Sequence, residues 1–396
     1  MELARFGGTK HEGVDRPALS EAEIEARAQL VDWGRKIGLA PSSDGIANLF
    51  LKLAGENPDL PPVLVGSHID SVPTGGKFDG AFGVIEALEC AEAIVASGQR
   101  PRRNIEVVSW TNEEGTRFSP SVMGSSAFAR ARRLEDMSAT RDESGVSLAA
   151  ALERVLSAEP ALLRRPIGFP AAAYLEAHIE QGPILEQAGK TIGVITGIYG
   201  KLTFQVDVTG EANHAATTPK SARRDALAAA TGLVQALQSI WNTDEFVRFT
   251  IGTFNVFPNQ AFVIPGRVAF HIDIRHPDTQ ALARIGEMVR KMSRDAPGLC
   301  QVSVQELINE PAFAFDEAIR ERVASAAQRL RIPSMVMGSA AWHDSVFLNR
   351  VCPTGMVFIP CKNGISHNEG ESASADDIAA GAGVLAETVF ATANSG

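Results

Sequence analysis

The chain has 396 residues, of which 45% are hydrophobic and 21% charged, and 47 acidic against 37 basic side chains give a formal charge of −10. This is the composition of an ordinary globular protein and excludes collagen-like, low-complexity and disordered classes. The negative balance repels phosphate backbones and anionic bilayers, so neither a nucleic acid nor a membrane is expected as a partner.

At roughly 150 residues per domain, the length predicts two domains. The opening MELARFGGTKHEG has no apolar signal core, and no run approaches the ~18 apolar residues of a membrane span. Cys90, Cys300, Cys352 and Cys361 are scattered, with no CxxC pair, which suits a reducing compartment. A cytoplasmic protein is expected.

Taken in chain order, the apolar runs Val63-Leu64-Val65 and Ile105-Glu106-Val107-Val108 predict strands, and the helical periodicity from Asp79 to Val95 lies between them. A sheet covered by helices follows. Near Gly200 the pattern changes: Leu202, Phe204, Val206 and Val208 alternate with polar residues, as on a half-buried strand. An Ala/Leu-rich helix is expected over about 221–240, then a strand ending near Phe257 and another carrying Val268, Phe270, Ile272 and Ile274. A helix over about 279–294 and a strand near 302–306 complete a βαββαβ order, that of a ferredoxin-like unit. After about Pro311 the earlier style resumes, so this unit is read as an insertion: residues 1–198 and 312–396 form a split first domain, and 199–311 the second.

The densest chemical signal is GSHIDSVPTGGKFDGAFG, residues 66–83. The strand before it delivers His68 and Asp70 at its carboxyl end, the usual ligand side of an open α/β sheet. Residues two apart on an extended segment point the same way. His68 can therefore bind a metal while Asp70 accepts the proton on its other ring nitrogen. Gly75 and Gly76 let the loop turn and return Asp79 to the site at the start of a helix. IEVVSW then runs into Glu113 and Glu114, adjacent carboxylates that diverge, so one can bind metal while the other handles a proton. A solvated acidic turn is the plainer reading of that pair. His178, in AAAYLEAHIEQGP, and His367, in VFIPCKNGISHNEGE, each follow an apolar run. Histidines and acids gathered at strand ends point to a hard or borderline N/O metal site, for which zinc is a natural fit and manganese, cobalt and nickel are compatible.

These motifs, together with Gly13-Val14, Asp44-Gly45-Ile46-Ala47-Asn48 and Glu371, closely resemble the amidase and carbamoylase branch of the M20-type metallopeptidase superfamily. The branch contains N-carbamoyl-L-amino-acid hydrolases, β-ureidopropionase-like enzymes and allantoate amidohydrolases. The resemblance implies a mixed-sheet α/β catalytic domain with an inserted ferredoxin-like lid and dimerisation domain. It implies two divalent ions: His68 and Glu114 hold one, Asp79 bridges to the second, and His178 and His367 complete the set. Glu113 is then the general base. His214, in GEANHAATTP, resembles a histidine that reaches into a neighbouring subunit's site, which implies a homodimer. Gln181 and Arg275 resemble substrate contacts, Arg275 gripping a carboxylate, with an ion pair on its own strand as the competing role. Asn259 and His343 join the substrate-facing set, and Asp344, like Asp70, supports from behind.

The chain also departs from the family's pattern. Phe262 stands where relatives carry a substrate-binding Asn, and Phe offers neither donor nor acceptor. Ala216, Lys220 and Trp342 are further departures. The activity implied is hydrolysis of a linear amide C–N bond, in an N-carbamoyl or N-acyl amino acid with an apolar part. A dipeptidase or aminopeptidase of the same superfamily and an inactive dimeric binding protein are the alternatives.

Overall fold

The computed structural model describes residues 2–296 and 298–395. The chain divides into two compact units, Met1–Thr196 with Phe315–Gly396, and Gly197–Ala314.

The first unit is built on a large mixed sheet. Its central run is, in spatial order, Ile192–Ile198, Thr354–Ile359, Ala173–Ile179, Val63–His68, Ile105–Trp110 and Leu49–Leu53. Four neighbouring strands in this run are mutually parallel: Thr354–Ile359 with Ala173–Ile179, that strand with Val63–His68, and Val63–His68 with Ile105–Trp110. All four are buried along their whole length, which is why they read as continuous apolar runs rather than as alternation. Their carboxyl ends therefore emerge along one edge. Helices Ala81–Ala96 and Ala375–Asn394 pack on the sheet, with Val84, Ala87, Ala91, Val384 and Val389 in the core. A second cluster lies beneath the Glu113 strand, where Trp110 meets Phe50 edge-on at 6.0 Å. Its Nε1 donates to the Tyr174 hydroxyl at 3.0 Å, and that hydroxyl donates to the Gly66 carbonyl at 3.0 Å. Trp110 thus braces two of the site's strands with its one polar atom satisfied.

One buried group in this unit works against stability. Glu86, inside Ala81–Ala96, has no hydrogen-bond partner for its Oε2 among the described residues. Burial, with the charge of Glu89, pushes its carboxyl from 4.5 up to about 8. The folded state then keeps a proton that the unfolded chain has released, so this group's contribution falls as pH rises through that window. Glu86→Gln is expected to stabilise the fold by about 1–3 kcal/mol at pH 8 and to lose that gain below pH 4.5. Melting curves at pH 4 and pH 8 check it, and an equal gain at both would refute the burial argument.

The second unit is a four-stranded antiparallel sheet in the order Arg248–Phe257, Arg267–His276, Gly200–Thr209, Gln301–Glu310. With helices Ala226–Leu237 and Thr279–Arg294 it has the ferredoxin-like βαββαβ arrangement. Helix Thr279–Arg294 falls where the sequence places it, because Asp278 caps the Ala281 N–H and Leu282, Ile285 and Val289 form a buried stripe. The preceding helix differs. It starts at Ala226 rather than near 221, since the Asp225 carboxylate caps the N–H groups of Leu227 and Ala228. The last strand is longer than 302–306 because it pairs with Lys201–Thr209 along its whole length.

Candidate metal centre

The histidine and glutamate candidates follow the ends of parallel strands, and Asp79 lies just before helix Ala81–Ala96. His68 is the last residue of Val63–His68 and lies in register with Trp110, three residues before Glu113. His178 lies in Ala173–Ile179, in register with Phe358 of the strand that leads to His367. The ring orientations are set by backbone carbonyls. His68 Nδ1 is 2.9 Å from the Asp70 carbonyl and His178 Nδ1 is 2.9 Å from the Ile179 carbonyl. Both rings therefore turn Nε2 toward Asp79, at 3.6 and 3.2 Å from its Oδ1.

This corrects the expected role of Asp70. Its carboxylate stands 3.6 Å from His68 Nδ1, beyond hydrogen-bond reach, and instead accepts the N–H groups of Glu113 and Glu114 at 3.1 and 3.2 Å. Asp70 positions the paired glutamates, and its main chain orients the histidine. The glycine that matters here also differs. Gly75 and Gly76 have ordinary φ values, whereas Gly80 sits at φ 62°, and a Cβ there would lie 2.3 Å from His68 Nε2. No side chain fits between the loop and the ring.

The donor atoms fall into two groups that share Asp79: His68, Asp79 and His178, and Asp79, Glu114 and His367, each within 4.8 Å of one another. The pairing implied by resemblance, His68 with Glu114, is not the one the geometry makes. Asp79 turns Oδ1 to the first group and Oδ2 to the second, with His367 Nε2 3.3 Å from Oδ2 and 3.6 Å from Glu114 Oε2. Glu113 belongs to neither group, and its Oε2 lies 3.7 Å from His68 Nε2.

The electrostatics fit a pair of cations. Burial opposes ionisation of Asp79, yet the charge of His178 and contacts from His178, His367 and His68 hold its carboxyl well below the usual range. Burial raises Glu113 well above that range; His68 opposes the rise, and Glu114, Asp344 and Asp70 add to it. Burial and the Asp79 charge raise Glu114 to about 7, and the Asp79 contact carries His367 to about 9. Strongly displaced titrations of this kind gather at functional sites. Glu114 Oε1 and Gln181 Oε1 are buried without a hydrogen-bond partner among the described residues. Imidazole nitrogens and carboxylate oxygens with an oxygen in hand are the donor set of a divalent N/O site.

The remaining candidates of this unit lie close by. Gln181 Nε2 donates to Asp79 Oδ2 at 2.8 Å, so its amide touches the shared carboxylate. The His343 ring packs 4.5 Å from that of His178, with Nε2 3.2 Å from Ser339 Oγ. Asp344 is fully buried, and its charge bears on Glu113.

His214, Asn259, Phe262 and Arg275 belong to the second unit. His214 is exposed on a two-residue strand paired with Val263, and its Nδ1 accepts from the N–H groups of Ala216 and Thr217 at 3.1 and 3.2 Å. Asn259 is exposed at φ 58°, and Phe262 is 81% exposed. Arg275 pairs across the sheet with Lys201, and its Nε donates to Asp273 at 3.0 Å.

Sequence reasoning passed over three side chains. Glu176 is buried and accepts from Ser67 Oγ at 2.7 Å and the Ser345 N–H at 3.0 Å. Its signal was a carboxylate two residues before His178 within an otherwise largely apolar run. Ser366 and Glu371 reach Asp79 from the His367 loop, and nothing in the pattern of GISHNEGE separates them from loop polarity.

Comparison with known proteins places this geometry. The family described as peptidase family M20/M25/M40 matches residues 64–391. The N-carbamoyl-L-amino-acid amidohydrolase of Rhizobium meliloti is 36% identical, over 99% of this chain and 94% of that protein. The allantoate amidohydrolase of Bacillus subtilis is 32% identical, over 98% and 95%. Among solved structures, a hydantoinase/carbamoylase family amidase from Burkholderia multivorans superposes with a TM-score of 0.91 at 39% identity, covering 100% of this chain and 96% of that one.

Proposed function

The chain belongs to the peptidase family M20/M25/M40, in its amidase and carbamoylase branch, and from that premise we propose that it hydrolyses the C–N bond of an N-carbamoyl or N-acyl L-amino acid. It is a metal-dependent amidohydrolase. The observation that carries the reading is Asp79 presented to two three-donor groups, with Glu113 left over beside them.

His68 and His178 would hold one ion with Asp79, and Glu114 and His367, with the same carboxylate, the other. Zinc is the proposed metal, with manganese, cobalt and nickel as the competing outcomes of a metal panel. Bound ions of this kind polarise a carbonyl and make water acidic enough to ionise near neutral pH. Glu113 takes the proton of the attacking water and passes it to the leaving nitrogen.

The second unit supplies the rest as a lid and dimerisation domain. With Nδ1 occupied by two backbone N–H groups, a neutral His214 carries its proton on Nε2, which suits it to donate to the developing oxyanion in the site of a neighbouring copy. Arg275, beside Lys201, is suited to a substrate carboxylate. Asn259, Phe262, Gln181 and His343 complete the substrate contacts.

A panel of N-carbamoyl, N-formyl and N-acyl amino acids, assayed with each metal, tests the reading. Turnover of N-carbamoyl or N-acyl L-amino acids that disappears on chelation is expected, and absence of turnover across the panel overturns it. Phe262→Asn is expected to raise kcat/KM for small polar ureido substrates relative to aromatic ones, by about tenfold for one hydrogen bond gained. An unchanged ratio would remove Phe262 from specificity.

A further inference from the structure

Asp79 is the side chain common to both donor groups, so its orientation sets both at once. We propose that Ser366 and Glu371 are positioning residues for that carboxylate, holding it with one oxygen toward each group before any ion arrives. The proposal rests on the metal-site reading above.

Glu371 is 3% exposed, and both its oxygens are engaged. Oε1 accepts the N–H groups of Phe78 and Asp79 at 2.8 and 3.0 Å, and Oε2 lies 2.8 Å from Ser366 Oγ. Ser366 Oγ in turn stands 2.9 Å from Asp79 Oδ2. Asp79 is thus held at its backbone by Glu371 and at its carboxylate by Ser366, which shares Oδ2 with the Gln181 amide. Donation of the single Ser366 hydroxyl proton to Asp79 Oδ2 holds that oxygen on the His367 side and leaves Oδ1 for His68 and His178. It also ties the loop that carries His367 to the loop that carries Asp79, which lie far apart in the sequence.

Gly76 makes room for the device. Its φ is not in the left-handed region, yet a Cβ there would lie 2.0 Å from the Glu371 carboxylate carbon. Backbone freedom does not explain this glycine; the space taken by Glu371 does. Neither Ser366 nor Glu371 lies in a donor group, so their effect passes through Asp79.

The test titrates cobalt(II) into the metal-free full-length chain, reading affinity by calorimetry and geometry by the visible absorption of the bound ion. Ser366→Ala and Glu371→Ala are each expected to weaken cobalt binding by about 10- to 100-fold, the usual effect of removing a ligand's hydrogen-bond partner, and to shift the spectrum. Gly76→Ala, which pushes Glu371 aside, is expected to do the same. Glu371→Gln keeps an oxygen for the two N–H groups and offers an amide N–H to Ser366, so it stays close to the parent chain. Parent-like affinity and spectrum in both alanine variants would overturn the proposal. So would a Gln variant that falls as far as the Ala variant while melting normally without metal. If Glu371→Ala does not fold, Ser366→Ala decides, since it deletes only a hydroxyl. A parent chain that binds no pair of cobalt ions would instead overturn the metal-site reading, a separate outcome of the same titration.

Discussion

Glu113→Gln is expected to lower kcat by about 10²- to 10⁴-fold, the range of a lost general base, while two equivalents of metal stay bound. The substitution changes one atom. The Glu113 N–H remains held by Asp70, and neither donor group loses a member. What disappears is a carboxylate oxygen beside His68 Nε2, on an acid that belongs to neither donor group. Burial raises the Glu113 carboxyl, opposed by His68 and reinforced by Glu114, Asp344 and Asp70, which makes the ionised form a stronger proton acceptor. Steady-state kinetics with elemental analysis of the dialysed variant checks both halves. Full turnover in the Gln variant would sink the base assignment, and loss of metal would mean that Glu113 is a ligand.

Asp79→Asn should strip both ions, whereas His367→Ala should strip one. Asp79 is shared, so removing its charge weakens both groups; His367 serves only the group with Glu114. With both ions gone, the attacking water is no longer acidified, and turnover falls to background. Metal content after dialysis separates the two variants. Equal stoichiometry in both, or two ions retained by Asp79→Asn, would show that the centre is not built around a shared carboxylate.

Much of the fold was legible because it rests on short-range patterns. Helix 279–294 carries its cap and its stripe in consecutive residues, and Leu202, Phe204, Val206 and Val208 alternate strictly along Gly200–Thr209. The site's location was legible for a similar reason: His68, Glu113, His178 and His367 each follow a buried run that can only end at the carboxyl edge of a parallel strand. The partner atoms were not. Spacing puts Asp70 near His68, but whether its carbonyl or its carboxylate meets the ring depends on where the Glu113 and Glu114 N–H groups arrive from a different strand. The grouping of His68 with His178 is likewise a product of sheet order, in which Ala173–Ile179 neighbours Val63–His68. Glu371 and Ser366 are harder still, since their partner Asp79 lies at the far end of the chain and a loop carboxylate carries no local mark of burial.

The place of Thr354–Ile359 in the sheet has a consequence for biosynthesis. This strand lies between Ile192–Ile198 and Ala173–Ile179, both of which leave the ribosome long before it. Until it is made, Ala173–Ile179 presents one open edge to the surrounding water, with Ala173, Leu175, Ala177 and Ile179 on its apolar face. Synthesis at about 5–20 residues per second leaves that edge uncovered for roughly 10–35 seconds while the intervening residues are translated. A nascent chain of this protein is therefore a natural client for chaperones at that edge, and a transcript truncated before Thr354 yields a product with both an unfilled sheet and no His367.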